Sequence, residues 1–384
     1  MYKIKTLNKI SKVGLAVLTD RYAVSDDIAD PDALLVRSAK MHDYVFNPEL
    51  LCIARAGAGV NNIPCDRCAE EGIVVFNTPG ANANSVKELV LCALLLASRD
   101  VIGGVEWVRS IAGTEDVAGQ VEKGKSAFVG PELLGKKLGV IGLGAIGARI
   151  ANDAAALGMK VYGYDPYLSV DAAWRLSSRV FHAMDVDTIY ANCDYITIHV
   201  PYMPATKHTI NAEAIAKMKD GVRIINLARG ELVDDEAMLS ALESGKVARY
   251  VTDFPNDTTA GAKGVVAIPH LGASTPESED NCAVMAANEI MDYLENGNIS
   301  NSVNMPRAFL PPTGNPRIGI IHRNIPEMLA KITTAVSGTN IEHMVNAGRG
   351  EYAYTLLDLA VIPEGLVEKL QAIDSVIRVR TFGR

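Results

Sequence analysis

The sequence predicts an α/β protein built from two doubly wound parallel-sheet domains and a C-terminal ferredoxin-like α+β domain. Three observations carry this. Short β-branched apolar runs alternate with helix-compatible stretches over the first eighty residues or so, and a second alternation runs from Lys137 to His270. Beyond a break marked by Pro306, Pro311, Pro312, Gly314 and Pro316, the chain reads strand, helix, strand, strand, helix, strand.

In the first part, residues 1–84, the runs KVGLAVL, ALLVRS, LLCIARAG and IVVFNTPG have the length and composition of buried parallel strands. The turn formers of NTPGANANS follow, and Ser85 with Glu88 predicts a capping box that opens a long helix, VKELVLCALLLASRD. Its nearly continuous apolar face calls for burial between domains or against a second subunit, so a homo-oligomer, dimer or tetramer, is expected. Residues 85–274 then form the second domain, with KLGVIGLG, MKVYGYD, YITIHVP, VRIINLARG, ARYVTDF and VVAIPH as its strands. Residues 275–305 carry a long helix that returns to complete the first domain, leaving two connections able to act as a hinge. A linker at 306–315 leads to the terminal domain, 316–384.

Composition narrows the function classes. The formal charge of −8 includes no basic block able to displace counterions from a nucleic acid, so nucleic acid is not expected as a partner. The longest apolar stretches, such as Leu89 to Ala97, fall far short of a membrane span, and the basic N-terminus lacks an export signal, which predicts a cytosolic protein. Six cysteines are few, and several sit in apolar runs as packing residues. Cys65 and Cys68 have ligand spacing but no second pair, so no metal is expected.

Chemistry is concentrated where strands end. Gly142, Gly144 and Gly147 follow an apolar strand and precede an alanine-rich helix. In that setting the first permits a tight turn, the second lets the backbone approach a pyrophosphate, and the third lets helix and strand pack closely. The next strand ends in Asp165, whose carboxylate can accept both adenine-ribose hydroxyls and would repel a 2′-phosphate. NAD is therefore the expected cofactor. Ala145 and Ile146 complete the loop, and the strand-end residues Pro201, Leu227 and Ala228 are counted with the same site. Arg229 closes its strand with a forked cation suited to a carboxylate and an adjacent carbonyl, which points to an α-keto or α-hydroxy acid. His270 ends the next strand, where hydride transfer to a ketone requires a proton donor. His199 sits in a strand pattern, His42, His182 and His208 in polar crossover-like stretches, and His322 and His343 in the terminal domain.

The segments GLGAIG, LARG, IPHLGAST and ARAGAGVNN resemble the D-2-hydroxyacid dehydrogenase family, and VRSA, NTPGANANSVKE and PRIGIIHRNIPEMLAKI extend the likeness over essentially the whole chain, the last resembling an ACT domain. The resemblance implies that Arg229 grips the substrate carboxylate and carbonyl, that His270 is the proton donor, and that Asp253 contacts the nicotinamide carboxamide. It implies further that the backbone around Ala58 and Gly59 holds the substrate carboxylate, and that the substrate is a phosphorylated hydroxy acid. Arg37, Arg55, Lys87 and Arg109 are the cations available to its phosphate. An ACT domain implies an amino-acid effector such as serine, near Asn324 to Pro326 and Asn340. Relatives pair the histidine with a Glu that VTDFPNDTTAGAKG lacks, so its partner is Asp257, or Glu277 or Glu279, or absent. Other 2-hydroxyacid dehydrogenases, such as hydroxypyruvate or glyoxylate reductases, would keep the same residues. A NAD-sensing interaction protein is the alternative from another class.

Overall fold

The computed structural model describes residues 1–382, so the last two residues of the expected terminal domain lie outside it. The chain divides into two compact units, Met1–Asn82 with Pro276–Arg384, and Ala83–Thr275.

The first unit opens with β1 (Tyr2–Thr6), α1 (Lys12–Leu15), β2 (Tyr22–Ser25), β3 (Ala33–Val36), β4 (Cys52–Arg55), α2 (Cys65–Glu70) and β5 (Val74–Phe76). Its five-stranded sheet, β2-β1-β3-β4-β5, is parallel throughout. All four residues of β3 are buried, as expected of a strand covered on both faces. KVGLAVL is not a strand. The Ser11 hydroxyl accepts the Val13 amide and starts α1 there, and the first strand lies in the polar-looking YKIKT before it. Local hydrophobicity pointed to the wrong segment because only two residues of YKIKT are apolar, and sheet pairing to β2 and β3 supplies the rest.

The second unit contains α3 (Ala83–Ser98), α4 (Val101–Ser110), α5 (Val117–Gly124), β6 (Lys137–Ile141), α6 (Gly147–Ala156), β7 (Lys160–Tyr164), α7 (Val170–Ala173) and β8 (Val180–His182). It continues with α8 (Val186–Asn192), β9 (Tyr195–Ile198), α9 (Ala212–Lys217), β10 (Val222–Asn226), α10 (Asp235–Glu243), β11 (Val247–Thr252) and β12 (Val265–Ala267). The sheet order β12-β11-β10-β9-β6-β7-β8 reverses direction beside β6, the crevice where doubly wound folds bind ligands. Two readings are corrected. His182 ends an edge strand, β8, rather than lying in a crossover. α3 begins at Ala83, so Ser85 is inside the helix and is not its cap; the Glu88 carboxylate accepts Asn84 Nδ2 at 2.8 Å instead.

The chain returns to the first unit through α11 (Pro276–Asn296), which packs on α1, β3 and β4. Last come β13 (Arg317–Arg323), α12 (Met328–Ala335), β14 (Ile341–Arg349), β15 (Tyr352–Leu359), α13 (Leu366–Gln371) and β16 (Val376–Phe382). These strands form an antiparallel sheet, β14-β15-β13-β16, the split βαβ arrangement. One apolar cluster joins Phe76 and Tyr293 to Ile321, Tyr354, Leu356 and Phe382, so the terminal domain and the first sheet share a core. The stretch 306–315 is irregular but fastened: Arg317 donates to the carbonyls of Leu310 and Pro311 at 3.0 and 2.8 Å. Among the described residues no helix is long and apolar enough to cross a membrane, and no cluster of His, Cys, Asp or Glu could hold a metal ion. Burial pushes the Cys68 thiol up to about 12, so this half of the Cys65/Cys68 pair is a packing group.

Candidate active site

The glycine loop after β6 gives each glycine different surroundings. Gly142 has φ +91°, in the left-handed region, and a Cβ there would come within 2.8 Å of the His199 backbone. A Cβ on Gly147 would strike the Gly142 carbonyl, whereas Gly144 faces open space. The amides of Ala145, Ile146 and Gly147 donate no hydrogen bond among the described residues, at the start of the ten-residue helix α6. Unpaired amides at the positive end of a helix suit a pyrophosphate. Asp165 is braced by backbone donors, Leu143 N to Oδ2 and Tyr167 N to Oδ1, both at 2.9 Å. Each oxygen keeps a lone pair for a ribose hydroxyl.

Beyond β10 the chain is tied by buried Asn226. Its Oδ1 accepts the amides of Ala228 and Arg229 at 3.2 and 3.4 Å, and its Nδ2 donates to the Arg229 carbonyl at 2.8 Å. That turn presents Arg229, whose Nη1 reaches the Ala228 carbonyl at 2.6 Å. His270 follows β12. The two meet through Phe254, whose ring lies 4.5 Å from the imidazole and 5.8 Å from the guanidinium carbon. Beneath them Asp253 is buried: Oδ2 accepts the Gly272 amide at 3.2 Å, while Oδ1 has no hydrogen-bond partner. Burial raises this carboxyl above its ordinary range, partly offset by the Gly272 amide and the charges of His270 and Arg229. A buried acceptor without a donor is costly alone and fits an incoming amide NH₂ such as a nicotinamide carboxamide.

In the first unit, Arg55 ends β4 and folds over the loop that follows. A Cβ on Gly57 would lie 2.5 Å from Arg55 Nη1, and one on Gly59 3.7 Å from it. The amides of exposed Ala58 and half-buried Gly59 donate no hydrogen bond among the described residues. The loop thus offers two N–H groups beside a guanidinium, an arrangement suited to an anion. Arg37 is held by Glu279 at 2.6 Å, and Lys87, in the second unit, by Asp153 at 2.8 Å.

Asp257 is exposed and takes part in no hydrogen bond or ion pair among the described residues, and Glu279 is engaged by Arg37. The carboxylate whose field acts with His270 in the structure is Asp253. Sequence reading missed Phe254 and Asn226; their signal was position, at the carboxyl ends of β11 and β10. His199 is no rival to His270, since burial lowers it to about 3 and keeps the imidazole neutral, with Nε2 2.8 Å from Thr197 Oγ1.

Comparison with known proteins gives the family. Residues 93–272 match the model for the D-isomer specific 2-hydroxyacid dehydrogenase NAD-binding domain. The chain is 33% identical, over 93% of its length, to D-3-phosphoglycerate dehydrogenase of Methanocaldococcus jannaschii, and 36% identical, over 80%, to the Bacillus subtilis protein so named. It spans 67% and 59% of the lengths of those two relatives. The crystal structure of NAD-bound 3-phosphoglycerate dehydrogenase from Entamoeba histolytica superposes with a TM-score of 0.61 at 26% identity, covering 80% of this chain and 99% of that one.

Proposed function

We propose that this chain, which belongs to the D-isomer-specific 2-hydroxyacid dehydrogenase family and is an NAD-dependent dehydrogenase, oxidises 3-phospho-D-glycerate to 3-phosphohydroxypyruvate and runs the reverse reduction, the entry to serine biosynthesis. Support for the phosphorylated substrate comes from the name shared by those curated relatives and from one local observation, the guanidinium of Arg55 laid over the free amides of Ala58 and Gly59. NAD, when bound, accepts the hydride that leaves C2. Arg229 holds the substrate carboxylate by two parallel hydrogen bonds and polarises the C2 oxygen. His270 takes the hydroxyl proton as the carbonyl forms, and returns it in the reverse direction. Asp253 offers Oδ1 to the carboxamide.

Steady-state rates on 3-phosphoglycerate, hydroxypyruvate, glyoxylate and 2-oxoglutarate test the substrate. The phosphorylated pair is expected to have the highest kcat/KM, and Arg55→Ala to lower it about 100-fold or more with NADH binding intact. One observation favours a smaller, unphosphorylated substrate instead: Arg37 and Lys87 are already engaged by Glu279 and Asp153. Faster turnover of hydroxypyruvate or glyoxylate would establish that reading.

The assembly we propose is a homo-oligomer. α4 buries none of its residues and exposes Val101, Ile102, Val105 and Val108, an apolar face suited to a second copy. Sedimentation should give at least a dimer, and Val105→Glu should shift it toward monomer. Serine is the proposed effector of the terminal domain, near Asn324 and Asn340, and calorimetry without heat would remove it.

A further inference from the structure

One face of α11, with the 298–301 segment and Phe76, lines a cavity of about 430 Å³ inside the first unit. No part of the mechanism uses it. Its polar lining is acidic or neutral: Glu289 and Asp292 are its ionisable groups, accompanied by carboxamides and a serine, with no Lys, Arg or His. Phe76, Val284 and Met285 supply an apolar wall. Glu289 is 8% exposed; Oε1 accepts Asn301 Nδ2 at 2.7 Å, while Oε2 is buried without any hydrogen-bond partner. A buried acidic oxygen left unmatched beside an open cavity is costly unless something supplies a donor.

We propose that this cavity is a binding site for a small aliphatic amine, its ammonium group meeting the Glu289 carboxyl as that side chain turns Oε2 out of its buried position toward the cavity, and its hydrocarbon part lying against Phe76, Val284 and Met285. Charge sign, donor deficit and the apolar wall all select this class over a carboxylate or phosphate, which would meet two acids and no cation. Burial pushes the Glu289 carboxyl up to about 8, opposed by the Asn301 hydrogen bond, so the empty cavity holds the acid protonated near neutrality and the arriving ammonium displaces that proton. The site is linked to the anion loop through Asn77: the Asn301 carbonyl accepts the Asn77 backbone amide at 3.3 Å, and the Asn77 side-chain Nδ2 donates to the Ala58 carbonyl at 2.5 Å. An occupied cavity therefore braces Asn77. None of this depends on which hydroxy acid is the substrate.

Putrescine is the probe, 1,4-butanediol its neutral counterpart, and sodium chloride at equal ionic strength the control, all with the full chain. Calorimetry should show saturable putrescine binding, at least tenfold weaker in Glu289→Gln, and none for butanediol. Asn288→Trp, at an exposed lining position, should abolish binding by obstruction, which keeps the test decisive if the Gln variant does not fold. Bound putrescine should also slow amide exchange at Asn77. No saturable heat up to 20 mM, ~20 mM being a weak-fragment limit, or equal binding by wild type and both variants, would overturn the site. Binding with unchanged exchange at Asn77 would overturn its link to the loop.

Discussion

Phe254 lies 4.5 Å from the His270 ring and 5.8 Å from the Arg229 guanidinium carbon, so two reacting groups that follow different strands, β12 and β10, share one aromatic support. His270→Gln should lower kcat by about 10²–10⁴-fold with NADH affinity retained, because general acid–base assistance is lost while the cradle stays. Phe254→Ala should lower kcat/KM less, by roughly tenfold to a hundredfold, by letting both side chains wander; a kcat/KM equal to wild type would show that the ring only fills space. At Asp165 the expectation concerns choice of cofactor. Replacing it by Ser removes the charge that repels a 2′-phosphate, and the NADP/NAD ratio of kcat/KM should rise at least ~10-fold. The sequence displayed Arg229, His270 and Asp165 because each combines a reactive group with a strand end. Phe254 was not legible, since an aromatic side chain after a strand looks the same whether it packs or positions. Nor was the neighbour of His270, because only folding shows that Asp253 is buried with an unmatched oxygen while Asp257 faces solvent.

Elements were legible where one signal dominated. β6, β9, β10 and β11 are buried runs whose apolar composition leaves little alternative, and the glycine loop fixed the helix after β6. β1 and β8 escaped because short strands at or near an edge owe their existence to pairing. The terminal sheet adds a feature invisible in pattern: Arg317 of β13 and Asp358 of β15 form a buried pair, with Nη2 to Oδ2 at 3.0 Å. Burial alone would raise this carboxyl, but the bonds from Arg317 and Thr313 outweigh it and hold Asp358 below its ordinary range. A folded-state pKa below the unfolded one means that the contribution is present above the ordinary carboxylate range and is lost as pH falls through the depressed value. Asp358→Ala should cost about 3–5 kcal/mol in urea unfolding near neutrality by stranding the guanidinium, and less in acid.

At the scale of the molecule, the terminal domain is part of the first unit rather than an appendage. Tyr293 of α11 packs against Phe76, tilted, and against Phe382, edge-on, at centroid distances of 5.7 and 6.5 Å, Tyr354 donates to the Gly297 carbonyl at 2.9 Å, and Arg378 and Arg380 reach the carbonyls of Pro48 and Leu294. Removing residues 316–384 should therefore expose that cluster and destabilise the first unit, instead of merely deleting a regulatory response. The second unit has its own cores and should keep NADH binding, read by fluorescence; a truncated protein with full thermal stability would refute the shared core.

The same unit carries its own pH dependence. Glu289 has a folded-state value raised to about 8, so its share of stability is complete below the ordinary glutamate range and is lost progressively as pH climbs through 8. Glu289→Gln keeps the shape and the Asn301 contact but cannot ionise. Its Tm should match wild type near pH 5 and exceed it by pH 9, the underlying difference in unfolding free energy growing across that window toward an upper limit of about 5 kcal/mol. Parallel Tm curves for the two proteins would mean that the carboxyl reaches water when ionised. The acid would then impose no cost on the fold, and the cavity would lack the unmatched group that makes an ammonium its complement.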